Sequence, residues 1–174
     1  LPVVRGWRAV VPSPARTGVH NFFENFRDVR SAANGLLQAS PTKFFQSIGR
    51  VLVNSTIGLL GTIDVATSMG MAKPDEDFGQ TLGHWGVGTG PYLVLPLLGP
   101  SNLRDGVGEL PDFALQNYLQ GDLLAKPVRA TTFLFDSIDT RANTSFRYYE
   151  TGSAFEYNTV RWLYMTKREL DVEK

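Results

Sequence analysis

The chain contains no cysteine. That absence excludes disulfides, thiolate metal sites, iron–sulfur clusters and a cysteine nucleophile together. It leaves the compartment open, because cytosolic and periplasmic proteins alike can lack Cys. Histidine is scarce: His20 and His84 are the only two, too few for a histidine-rich metal site. There is no net charge, with 17 Lys and Arg against 17 Asp and Glu, so no global field favours nucleic-acid binding. Long apolar runs are also missing. The longest is Pro91–Gly99, and residues 51–66 are interrupted by Asn54, Ser55, Thr56 and Asp64. Neither reaches the roughly 20 apolar residues of a spanning helix. The chain is therefore not expected to cross a bilayer, although it can lie in one leaflet. It starts at Leu1, without Met or a basic-then-apolar signal segment, and reads as a mature product or a trimmed form.

What is present points to one mainly α-helical domain over residues 1–174. Apolar residues make up 43% and charged residues 20%, far from the disordered class. The 17 Gly, 10 Pro and 11 Phe suggest helices broken at tight corners, with a large aromatic contribution to burial.

Pro2, Pro12 and Pro14 suggest an extended arm over the first sixteen residues, with Thr17 capping the helix that follows. In that helix Val19, Phe22, Phe23, Phe26, Val29, Ala33, Leu36 and Leu37 recur at three- and four-residue steps. Glu24, Arg27, Asp28 and Arg30 occupy the opposite, polar face. Ser40-Pro41 is a good helix start, and a stripe of Phe44, Phe45, Ile48, Leu52 and Leu59 follows. A short helix is expected within residues 62–68, closed by Gly70. Residues 70–112 read as an ordered Gly- and Pro-rich loop region with short helical turns and one extended piece, Tyr92–Leu95, whose apolar side chains need burial. Helical pattern returns near Pro127, and a last helix runs from about Ala154 to Leu170, with Phe155, Val160, Leu163, Tyr164 and Leu170 as its apolar face.

No sequence constellation marks a catalytic centre. Gly86-Val87-Gly88-Thr89-Gly90-Pro91 lacks the Lys-Ser/Thr of a phosphate loop and reads as a turn with positive backbone angles. His84 stands alone and reads as structural. Asp75-Glu76-Asp77 reads as solvated turn charge. Asp64 and Arg104-Asp105 are more informative, because a charge in an apolar or Gly-rich setting is expensive unless paired. They suit either buried ion pairs and helix caps or the polar lining of a passage, and Asn54, Ser55 and Thr56 invite the same two readings. The apolar helix faces together exceed what a small domain can bury, which suggests an apolar belt facing a partner or a lipid leaflet.

The stretch from Arg50 to Ala66, with Asn54, Gly58, Gly61 and Asp64, resembles the RF-x-x-N-x-x-x-G-x-x-G-x-x-D-x-A block of the MlaA (VacJ) lipoproteins. Asp77-Phe78-Gly79-Gln80-Thr81-Leu82-Gly83-His84-Trp85-Gly86-Val87-Gly88-Thr89-Gly90-Pro91-Tyr92 is similar to that family's central signature. The likeness continues through Leu95-Pro96, Gly99-Pro100-Ser101 and Arg104-Asp105 to Gly108. Asn21-Phe22-Phe23-Glu24-Asn25 upstream, and Ile138-Asp139-Thr140-Arg141-Ala142, Tyr157, Arg161, Tyr164 and Arg168 downstream, extend it over most of the chain. The family's lipid-bearing Cys and the segment after it have no counterpart in this sequence. Arg27-Asp28-Val29-Arg30 stand where a Pro usually follows the Glu of the upstream helix.

The resemblance implies a ring-like domain of amphipathic helices in the inner leaflet of the outer membrane, on its periplasmic face. Such a protein passes mislocalised phospholipids through an amphipathic channel to a soluble periplasmic carrier, in association with a trimeric porin, and maintains lipid asymmetry. It implies no enzyme activity, catalytic residue, metal or cofactor. Asn54, Thr56, Asp64, His84, Arg104 and Asp105 are the candidates for channel wall or buried support. Phe22, Phe26, Leu36, Leu37, Phe44 and Phe45 are the candidates for leaflet contact. The alternative is a porin-associated scaffold or binding module without transport. A lipid hydrolase using His84 ranks third.

Overall fold

Proline placement governs how the chain begins. The structure, a computed structural model, describes residues 2–95, 99–121, 138 and 155–173. Pro2 opens a helix, α1 (Pro2–Val10), where an extended arm was expected. Helix α2 (Ser13–Leu37) then starts a turn before the expected cap. Pro12 is its N-cap and Pro14 lies in its first turn, where a missing N–H costs nothing. Thr17 is inside the helix, its hydroxyl donating to the Ser13 carbonyl at 3.1 Å. Ser40-Pro41 does open α3 (Pro41–Thr56), and α4 is the short helix Val65–Ser68, followed by Gly70 at φ +78°.

The Gly- and Pro-rich middle holds more regular structure than its composition suggests. It contains α5 (Phe78–His84), β1 (Tyr92–Leu95), β2 (Gly99–Asn102) and the start of α6 (Leu103–Gly121). The two strands pair antiparallel, Tyr92 opposite Asn102 and Leu95 opposite Gly99. Gly86 and Gly90 take positive φ, as the turn reading requires. Val94 remains half exposed, so the burial expected of this apolar block is incomplete. The helix expected from Pro127 lies outside the described residues, apart from Ile138. Helix α7 spans Glu156–Glu173.

The described residues form two compact units. The first runs to Glu76 and resumes at Leu115; the second comprises Asp77–Ala114 and α7. In the first, α2 packs along α3. In the second, α5 meets α6 at two glycines. A Cβ on Gly108 would lie 2.5 Å from the Gly79 nitrogen and 2.8 Å from its Cα. Backbone cannot swing aside as a side-chain tip can. Gly108→Ala is therefore expected to destabilise by about 1–3 kcal/mol, whereas Gly88→Ala, which faces open space, changes little. Thermal unfolding of the two variants side by side checks this.

The interior is polar. Among the described residues the buried apolar side chains are Phe23, Ala32 and Ala66, while the buried polar or charged ones include Asp28, Asn34, Arg50, Asn54, Asn102, Arg104, Asp105 and Arg168. Asp28, expected on the solvated face of α2, is fully buried. Phe155, Leu163 and Leu170, expected to face the core from α7, are exposed, and the residues that helix buries are Glu156, Arg168 and Asp171.

Candidate functional site

Arg50 organises the first unit. Its side chain rises from α3 with 0% exposure, so its charge must be matched nearby. Nε donates to Asp28 Oδ2 on α2 at 3.1 Å. Nη2 donates to both oxygens of Asp64, the N-cap of α4, at 3.1 Å each. Nη1 donates to Thr67 Oγ1 at 3.1 Å and the Met71 carbonyl at 3.3 Å. Asn54, one turn on from Arg50, donates to Asp64 Oδ1 at 3.2 Å and accepts from the Ala66 N–H at 2.9 Å. The charged and amide positions of the Arg50–Ala66 block thus converge on one hydrogen-bonded corner.

The two carboxylates around Arg50 titrate in opposite directions. Burial pushes Asp28 up to about 6, against the pull of Arg50 and Lys73. Burial acts upward on Asp64 too, but hydrogen bonds from Thr67, the Arg50 charge and Asn54 outweigh it and hold Asp64 at about 2. A raised carboxylate stabilises the fold below its unfolded value of 3.8, and that stability is lost as pH rises towards about 6. The depressed Asp64 contributes above 3.8, and its contribution is lost as pH falls towards about 2. Asp28→Asn is therefore expected to flatten the decline in stability between about pH 4 and 6. A pH series of denaturant unfolding for wild type and variant measures it.

A second ionic cluster ties the other unit together. Asp77 caps α5, accepting from the Gln80 N–H at 2.8 Å, and Arg168 from α7 grips the same carboxylate with Nη1 at 2.8 Å and Nη2 at 2.7 Å. Arg168 Nε donates to Asp105 Oδ2 at 2.6 Å. Asp105 also accepts from Asn102 Nδ2 at 2.7 Å, Tyr164 Oη at 3.0 Å and Arg104 Nε at 3.1 Å. Burial works against the Arg168 charge, but its hydrogen bonds to the Asp77 and Asp105 carboxylates more than offset it and raise its pKa. Burial, then the Asp105 charge, raises Tyr164. Neither Glu76 nor Asp77 is the solvated turn charge expected of Asp75-Glu76-Asp77. Glu76 is buried against Gln38 at 2.9 Å and Lys43 at 2.9 Å.

The polar candidates are thus dispersed. Asn54 and Asp64 belong to the first cluster, and Arg104 and Asp105 to the second. His84 is exposed at the end of α5. Thr56 is exposed at the end of α3, its hydroxyl turned back to the Leu52 carbonyl at 2.6 Å. Among the apolar candidates, Phe45, Leu36 and Leu37 are exposed. Phe22, Phe26 and Phe44 are half-buried; Phe22 meets Phe26 edge-to-face with ring centres 5.0 Å apart. Phe22 and Phe23 also line an apolar cavity of about 550 Å³ with Trp7, Ala15, Gly18, Val19 and Thr62. Sequence reasoning did not single out Arg50 or Asp28, although the argument that selected Asp64 applies equally to a cation on an apolar helix.

Charged side chains inside and large apolar ones outside define a class: helical proteins whose surface is completed by an apolar partner, protein or lipid. Among the described residues no helix is long and apolar enough to cross a membrane. Comparison with known proteins gives the family. The family model described as MlaA lipoprotein matches residues 1–171, and the chain belongs to that family. The chain is similar to the intermembrane phospholipid transport system lipoproteins MlaA of Shigella flexneri, at 40% identity, and of Escherichia coli, at 38%. Each match covers 81% of this chain and 56% of the relative, so the chain spans just over half the length of these curated relatives. A solved structure from work on the structural basis for maintenance of bacterial outer membrane lipid asymmetry aligns with a TM-score of 0.75 at 33% identity, covering 98% of this chain and 86% of the other.

Proposed function

We propose that this chain acts in phospholipid transport at the outer membrane, lying at the periplasmic face and passing mislocalised phospholipids from the outer leaflet to a soluble carrier. The observation that carries the reading is the inverted distribution of side chains. A protein surrounded by water gains by hiding leucine and phenylalanine, whereas this one hides arginine, aspartate and asparagine and leaves Leu36, Phe45, Leu60, Leu110, Tyr118 and Trp162 open. An acyl-chain environment reverses that balance. The names of the relatives from Shigella flexneri and Escherichia coli point the same way.

No covalent step belongs to this reading. The protein would supply a route with polar groups for the headgroup and apolar ones for the tails, Asn54, Thr56, Asp64, His84, Arg104 and Asp105 being the polar candidates for its wall or its support. Phe22, Phe26, Leu36, Leu37, Phe44 and Phe45 would face the acyl chains, and a trimeric porin would hold the protein in place.

The test is complementation in a Gram-negative strain lacking its own family member. Outer-leaflet phospholipid returning to the wild-type level is the expected result. Continued accumulation, with the protein correctly localised and bound to porin, would leave the scaffold reading in its place.

A further inference from the structure

We propose that Asp28 is a proton-operated clasp between α2 and α3. In mild acid its Oδ1 carries a proton and the seam between the two helices is held most firmly; loss of that proton as pH rises loosens the seam. Such a device depends on neither lipid nor porin. Asp28 on α2 and Arg50 on α3 meet where the two helices pack along each other, and both side chains are 1% exposed.

Every donor around this carboxyl is already spent. A guanidinium has five N–H bonds. Those of Arg50 go to Asp28 Oδ2, to both oxygens of Asp64, to Thr67 Oγ1 and to the Met71 carbonyl, so Asp28 receives one of the five. The Thr67 hydroxyl and the Asn54 amide are turned to Asp64. Lys73 is paired with Glu24. Ser47, fully buried one turn before Arg50 on α3, makes no bond with Asp28. Among the described residues no donor therefore reaches Asp28 Oδ1, which is itself buried. A buried carboxyl oxygen left in that position is relieved by a proton of its own.

Charge leads to the same oxygen. One guanidinium stands between two carboxylates that differ in their access to water: the Asp64 side chain is 26% exposed, that of Asp28 1%. The other charges facing Asp28 are Lys73, which favours its ionised form, and Glu24, which opposes it, and these two are bonded to each other. The excess negative charge of the corner is therefore discharged most cheaply at Asp28, on the oxygen that no donor serves. Its titration at about 6 agrees. Opening the seam admits water and returns the carboxyl to its ordinary 3.8. Between those two values opening also releases the proton, so it becomes more frequent as pH rises.

Infrared spectra of the full chain in mild detergent locate the proton. On acidification from about pH 7.5 to about pH 5.5, the carbonyl band of a protonated carboxyl is expected in wild type and not in Asp28→Asn, whose amide keeps the shape but takes up no proton. A wild type without the band overturns the proposal, and so does a band of equal size in the variant, which would belong to another carboxyl. Hydrogen exchange of wild type alone tests the clasp, whatever the stability of the variant. Corrected for intrinsic exchange, protection of the amides around Asp28 and Arg50 is expected to fall by up to about tenfold per pH unit between about pH 4 and 6, and to level off above. Constant protection across that range overturns the proposal. In Asp28→Asn the profile should be flat, and a slope that survives the substitution overturns it as well.

Discussion

Replacing Arg50 by Met is expected to lower the unfolding free energy by about 3–5 kcal/mol, a large part of the roughly 5–15 kcal/mol that holds a domain folded. Methionine supplies comparable bulk but none of the donors that join α2, α3 and the residues around α4. Asp64 keeps its bonds from Thr67 and Asn54 and is partly open to solvent, so it survives the loss. Asp28 does not. It is fully buried, its Oδ1 already lacks a hydrogen-bond donor, and burial has already raised it to about 6. Without Arg50 it takes up a proton at neutral pH. Adding Asp28→Asn to Arg50→Met should therefore recover part of the loss, with a coupling of about 1–3 kcal/mol. Arg50→Lys should fall well short of wild type, since one ammonium cannot serve acceptors on three sides. Denaturant unfolding of five proteins (wild type, Arg50→Met, Asp28→Asn, the double variant and Arg50→Lys) in mild detergent at neutral pH measures all of this, and a loss under about 1 kcal/mol for Arg50→Met would contradict it.

Arg168→Met is expected to cost about 3 kcal/mol or more and to act through α7. Arg168 supplies α7 with charged bonds to both the cap of α5 and Asp105. Tyr164 keeps its bond to Asp105, and Tyr157 and Tyr164 keep their edge contacts with Tyr92, but these are weak ties for an 18-residue helix whose buried side chains are Glu156, Arg168 and Asp171. Amide exchange should accelerate across Glu156–Glu173 in the variant. The Tyr164 phenol offers an independent readout. It already ionises above its ordinary range because of burial and the Asp105 charge, while the Arg168 charge, and after it a hydrogen bond with Ser101, pull it down. Losing the guanidinium should push ionisation higher still, as followed by ultraviolet absorbance against pH. Unaltered exchange in α7 would show that the helix is held by other contacts.

Local stereochemistry was legible in the sequence wherever one residue type decides the backbone. Ser40-Pro41 marks the start of α3, and the extended piece Tyr92–Leu95 is β1 to the residue. Prolines misled where their role depends on context: Pro2 and Pro14 begin helices and Pro12 caps one, instead of keeping the arm extended. Helix α6 was hidden because it contains Gly106, Gly108 and Pro111, poor helix formers, of which Gly108 lies where α5 comes close. Periodicity located the stripes on α2 and α7 but did not reveal which polar side chains the helices bury: α7 buries Glu156, Arg168 and Asp171. On α2 the inward stripe includes Asp28, Ser31 and Asn34, spaced three residues apart. The candidate site was legible chiefly through family resemblance. Which polar residues converge depended on contacts as distant as Arg168 with Asp77, which no local pattern encodes.

The most direct test of lipid handling is extraction and mass spectrometry of lipid from the protein purified in mild detergent. Phospholipid close to one molecule per chain, retained through washing, is the expected result. Folded protein free of lipid would contradict it and leave the apolar exterior to protein partners alone.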